Sequence, residues 1–138
     1  MKILTMKFVK TWLVWALFCS GHSIASNLCF ETEIDEFSCQ FSNKQVSVCS
    51  LGERQFYRFG TQSKIELEIE SKDTIEYYSF SGGGERVITF LNGDYSYVIN
   101  SRTTRSEYVL GGWVSERTAN LVVNKGEQEL VSLECEEF

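Results

Sequence analysis

The residues with the most chemistry to offer are the single histidine, His22, and five cysteines, Cys19, Cys29, Cys39, Cys49 and Cys135. His22 and Cys19 fall in an N-terminal segment that reads as a cleavable export signal, so the remainder has no imidazole for a Ser-His or Cys-His nucleophile. Cys29, Cys39, Cys49 and Cys135 then form an even set, the pattern of two disulfides in a small exported domain. Folding Phe37–Phe41 onto Gln45–Cys49 about Lys44 sets Cys39 opposite Cys49, which leaves Cys29 for Cys135. A zinc site is disfavoured by the nine-residue spacers and the lack of histidine. No metal and no cofactor is expected.

The segment Ser81-Gly82-Gly83-Gly84-Glu85-Arg86 is the most unusual run. A phosphate-cradling loop would need a lysine followed by Ser or Thr opening a helix, and here the glycines open a strand. The run reads either as a bend between strands or as a binding loop flanked by Tyr77 and Tyr78. Trp113, beside Gly111 and Gly112, reads either as core or as an interface anchor. Arg102-Thr103-Thr104-Arg105 is a local basic spot, read as a solvated loop. A carboxylate pair could serve a glycan hydrolase, but with 19 acidic residues some pair is inevitable. The expected role is therefore non-enzymatic binding.

The export reading rests on Lys2, Lys7 and Lys10 without an acidic residue, then the apolar run Thr11–Cys19, then Ser23-Ile24-Ala25 with small residues where a signal peptidase cuts. Residues 1–25 are the expected signal and 26–138 a single domain. The apolar run is far short of the roughly 20 residues that span a bilayer, so no membrane span is expected in the mature form. Losing three lysines takes the 13 basic residues to 10 against 19 acids, and the charge from −6 to −9. That acidity disfavours nucleic acid and anionic membranes as partners. The expected location is periplasmic or secreted, with a protein partner in the envelope or outside the cell.

The elements that position these residues read as strands throughout. Runs of β-branched and aromatic residues recur between Gly, Asn, Ser and Asp, the pattern of an antiparallel β-barrel or sandwich of about eight strands. In Ser63–Glu70, Ile65, Leu67 and Ile69 alternate with charged residues, a half-buried strand with a wet face. Arg54–Phe59 alternates too, without showing which face is buried. Asn92-Gly93 marks a hairpin that sets Phe90 opposite Tyr95, Ile88 opposite Tyr97 and Val87 opposite Val98. A second hairpin turns through Asn124-Lys125-Gly126 and delivers Cys135 at the end of the last strand. The nearest helix candidate, Ser101–Tyr108, has poor helix formers.

Taken together, Cys39 to Cys49, Tyr57-Arg58-Phe59-Gly60, Ser81–Glu85 and Asn92-Gly93-Asp94-Tyr95-Ser96-Tyr97-Val98 resemble small exported bacterial proteins of unknown function. The resemblance implies a periplasmic or secreted protein and brings no activity. Ser81-Gly82 and the run into Cys135 are similar in kind to periplasmic inhibitors of C-type lysozyme. That likeness implies inhibition of a cationic cell-wall hydrolase, with 81–86 as the contact and no inhibitory residue carried over. The remaining alternatives are a carboxylate-dependent glycan hydrolase and an envelope component that pairs through a β edge.

Overall fold

A computed structural model describes residues 27–136 and 138, and the expected signal, residues 1–25, lies outside the described residues. Nine strands follow one another: β1 (Ile34–Phe41), β2 (Lys44–Leu51), β3 (Arg54–Thr61), β4 (Lys64–Ser71), β5 (Ile75–Phe80), β6 (Gly83–Asn92), β7 (Tyr95–Val109), β8 (Gly112–Lys125) and β9 (Gln128–Glu134). Every neighbouring pair is antiparallel. Strands β1–β4 form one sheet in chain order and β5–β9 a second, consistent with a sandwich. The domain is all-β as the alternation predicts, and Ser101–Tyr108 lies within β7, not in a helix or a loop.

One core fills the space between the sheets. From the first sheet come Phe37, Cys39, Val46, Val48 and Tyr57, and from the second Ile88, Phe90, Ile99 and Leu121. Tyr57 packs at 5.7 Å from Phe90 and 5.1 Å from Tyr97, ring to ring, and this burial pushes its hydroxyl pKa up. The hairpin at Gly93 differs from expectation by two residues. Phe90 faces Tyr97 and Ile88 faces Ile99, because the turn is Gly93-Asp94 with Gly93 at φ 60° as its single positive-φ residue. A two-residue shift keeps every side chain on its expected face. The last hairpin also turns on two residues, pairing Lys125 with Gln128 around Gly126 at φ 59°.

The outer face of the first sheet is covered as well. Residues 27–33 lie across it, with Leu28 buried and its N–H donating to Ser47 Oγ at 2.9 Å. Both faces of β3 are therefore buried: Tyr57 on the core side, Phe56 and Arg58 beneath the N-terminal segment. Arg58 reaches Glu33 through two nitrogens, one at 2.9 Å, and also donates to Glu68 at 2.6 Å and to the Leu28 carbonyl at 3.1 Å. Its guanidinium lies 4.1 Å from the Phe30 ring centroid. The hydrogen bond from Arg58 holds the Glu33 carboxyl below its ordinary pKa.

The expected disulfide pairing is overturned. Cys29 bonds Cys49, and Cys39 bonds Cys135. The β1–β2 turn is the two-residue Ser42-Asn43, which pairs Phe41 with Lys44 and sets Cys39 opposite Val46. Moving the register by three residues, an odd number, turns Cys39 and Cys49 to opposite faces of the sheet. Cys39 joins the core and reaches the end of β9. Cys49 faces outward and holds the N-terminal segment.

Candidate functional site

The second sheet is longer than the first, and that difference makes a surface. Strands β7 and β8 have 15 and 14 residues against 8 for each strand of the first sheet. Within them, only Ile99, Ala119 and Leu121 are buried. β6 pairs with β7 as far as Thr104 and β9 pairs with β8 only at Asn120–Lys125. Beyond a bulge between Arg105 and Glu107, the β7–β8 hairpin runs on alone to Leu110, which is fully exposed. The side of this sheet that makes the core lower down is left open above it.

Register shows which residues share that open inner face. From Ile75 and Ile88 in the core, alternation carries Tyr77, Ser79, Gly84 and Arg86 to the same side. Their partners along β7 and β8 are Ser101 with Ala119 and Thr103 with Arg117. A shallow groove of about 410 Å³ lies there, lined by Tyr77, Arg86, Ser101, Thr103 and Arg117, and bordered also by Tyr78 and Glu85. A smaller depression of about 180 Å³ lies near Lys44 and Thr61, at the turns of the first sheet.

The segment 81–86 is not a loop. Ser81-Gly82 is a two-residue turn with Gly82 at φ 88°, and Gly83–Arg86 begin β6. A side chain at Gly83 would put its Cβ 2.0 Å from the Thr103 carbonyl oxygen and 2.9 Å from the Phe80 ring, so close strand packing demands glycine. Gly84 has more room, since a methyl group there would lie 3.4 Å from the Tyr78 carbonyl oxygen, and its bare backbone forms groove floor. Tyr77 and Tyr78 separate: Tyr77 faces inward, 72% exposed, whereas Tyr78 faces outward and donates to Glu76 at 2.7 Å. That bond raises the Tyr78 hydroxyl pKa.

Trp113 is exposed, not core, and stacks edge-on to Tyr108 at 5.3 Å. It stands four residues along β8 from Arg117, outside the groove. The basic spot at 102–105 is strand: Arg105 points to the Trp113 ring at 5.8 Å, and Arg102 to Phe80 at 4.7 Å. Sequence reasoning missed Ser101, Thr103 and Arg117, which join the groove only through register. The β-branched Thr103-Thr104 pair is a local sign of strand that would have placed part of it.

Cys29, Glu33 and Cys49 gather three donor atoms, but the two sulfurs are bonded to each other and hold no thiolate for a metal. Among the described residues, no helix is long and apolar enough to cross a membrane. Disulfides of this kind are characteristic of compartments outside the cytoplasm. Comparison with protein-family models, with curated proteins and with solved structures finds no match.

Proposed function

We propose that the protein is an exported, non-catalytic binding domain that seats its partner on the open inner face of the five-stranded sheet, between Tyr77 and Trp113. The observation that carries this reading is that face itself: it continues the core-making side of the sheet past its cover, with Tyr77, Tyr108, Leu110 and Trp113 exposed along it and at its tip. Exposed aromatic anchors beside a polar rim are the composition of binding surfaces. Binding is favoured over glycan hydrolysis because, among the described residues, Glu85 is the only carboxylate lining the groove, and hydrolysis needs two opposed acids. The two disulfides and the lysine-led apolar N-terminus support a periplasmic or secreted location, with the partner in the envelope or outside the cell.

The test is site-directed photo-crosslinking in the exported fraction. A photoreactive side chain at Tyr77 or Trp113 is expected to capture a partner, and one at Leu51, on the far sheet, is not. Equal capture from all three positions, or none, removes the reading. The narrower form, inhibition of a cationic cell-wall hydrolase, is checked with purified protein at low salt against C-type lysozymes. Undiminished lysozyme activity at micromolar protein ends that form while leaving the binding domain standing.

A further inference from the structure

The cations of the two sheets are partnered differently. Lys44, Arg54, Arg58 and Lys72 each meet a glutamate. Among the described residues, Lys64, Lys125 and the four arginines of the second sheet, Arg86, Arg102, Arg105 and Arg117, make no ion pair, although the chain carries more acids than bases. Three of these four stand on the open inner face, and each lies over an aromatic ring: Arg86 at 5.7 Å from Phe37, Arg117 at 5.3 Å from Phe138 and Arg105 at 5.8 Å from Trp113. Phe37 and Phe138 are themselves 6.3 Å apart, ring to ring. A guanidinium held near a ring and not in an ion pair keeps N–H donors free for a planar anion, which it can bind through two parallel hydrogen bonds.

The spacing suits an extended ligand. Arg86 and Arg117 lie two strands apart and one two-residue step out of line, about 10 Å by 7 Å from ordinary strand geometry. Between them are Ser101 and Thr103 and the bare backbone of Gly84. β6 and β7 are paired on both sides here, whereas β8 from Gly112 to Thr118 has an open outer edge. A ligand lying on the face itself is read by side chains, and strand addition would take place at that edge, outside the groove.

We infer that the groove binds an acidic saccharide chain, with Arg86 and Arg117 each holding a sugar carboxylate, Ser101 and Thr103 bonding ring hydroxyls, and the Tyr77 ring lying against a sugar face. Guanidinium, hydroxyl and aromatic face match the carboxylate, hydroxyls and apolar ring face of a sugar acid. An acidic peptide shares only the first of these. The inference rests on the binding-domain reading and names its ligand class.

Purified protein titrated with tetragalacturonate at low salt is expected to bind, more weakly as salt rises, with amide shifts centred on Ser101 and Thr103. Maltotetraose, which has no carboxylates, is expected not to bind. Arg86→Gln and Arg117→Gln should each weaken binding about tenfold, the effect of a lost charge-assisted contact, and Arg54→Gln on the far sheet should not. Unfolding midpoints of the variants confirm that each is folded before its affinity is read. No binding of tetragalacturonate at millimolar concentration overturns the inference, as do shifts centred elsewhere or binding unchanged in the Arg86/Arg117 double variant. Hexaglutamate binding as tightly as the saccharide also overturns it and assigns the face to an acidic protein. If Tyr77 still captures a partner while tetragalacturonate fails, the ligand class falls and the binding domain stands; failure of both removes both.

Discussion

Arg58 and Glu33 form a two-pronged ion pair in which the side chains retain only 2% and 4% of their exposure. The pair fastens residues 27–33 to the outside of the first sheet, beside the bond between Cys29 and Cys49. Removing one partner of a buried pair leaves the other charge without compensation, at a cost of about 3 kcal/mol. Because Glu68 still compensates one side of the guanidinium, Glu33→Gln should lower stability by less than that, about 1.5–3 kcal/mol in urea unfolding, the range for hydrogen bonds to charged groups.

The same pair sets an acid response. The Glu33 carboxyl has a folded-state pKa below its unfolded value, chiefly through the Arg58 hydrogen bond. Its contribution is complete above the unfolded value of about 4.3 and is lost as pH falls through the folded one. Thermal midpoints of the natural protein should fall on acidification below that range. Glu33→Gln should show a shallower fall over the same interval, and parallel curves would remove this assignment.

The disulfide pairing can be read by mass. Joint cleavage after glutamate and after lysine or arginine separates all four cysteines, because Glu31, Glu33 and Glu36 lie between Cys29 and Cys39, and Lys44 lies between Cys39 and Cys49. Linked peptides should join 29 to 49 and 39 to 135. The loops they close differ, with sequence separations of 20 and 96. Loop-closure entropy then makes removal of the second cost more, about 4–5 kcal/mol against about 3 for the first.

Adjacent glycines should respond differently to the same methyl. Gly83→Ala forces a shift of β7, because its Cβ would overlap the Thr103 carbonyl, and should cost about 1–3 kcal/mol. Gly84→Ala meets only a 3.4 Å contact and should stay within about 0.5 kcal/mol of the natural protein. It also raises the groove floor, so it should weaken ligand binding without weakening the fold. Chemical denaturation separates the two variants.

Trp113 is the single tryptophan of residues 26–138, so in protein prepared without residues 1–25 tryptophan fluorescence reports on the β7–β8 hairpin alone. Acrylamide should quench it readily in the free protein. Trp113→Ala should leave stability within about 0.5 kcal/mol, since the ring is exposed and packs mainly on Tyr108. A large loss of stability would return this residue to the core.

Strand content was legible because alternation and turn residues speak locally. The faces of Leu67 and Ile69 and of the Phe90–Tyr97 hairpin follow from period two, and a register error of two residues left the hairpin intact. Ile65 departs from the expected face, exposed beyond a bulge between Phe59 and Gly60 that breaks the alternation. The disulfide pairing was not legible for the same reason in reverse: a three-residue error at Ser42-Asn43 reversed a face. The ambiguity at Phe56, Tyr57, Arg58 and Phe59 was a real signal, since both sides of that strand are covered. The arginine face was hidden because Arg86, Arg105 and Arg117 are brought together by ladder register, which no single stretch of chain encodes.

Chain order gives the two cross-links different histories. The four strands of the first sheet are complete at Ser71, and Cys29 and Cys49 both belong to that portion, so their oxidation can follow as soon as this half has folded. Cys39 has no native partner until Cys135 arrives behind the last strand. In oxidative folding it is the thiol that waits longest, with Cys29 and Cys49 as competitors close at hand, and early closure of the first bond is what removes them. Oxidative folding should thus proceed in sequence order, with a one-disulfide species containing the Cys29–Cys49 bond preceding the finished domain.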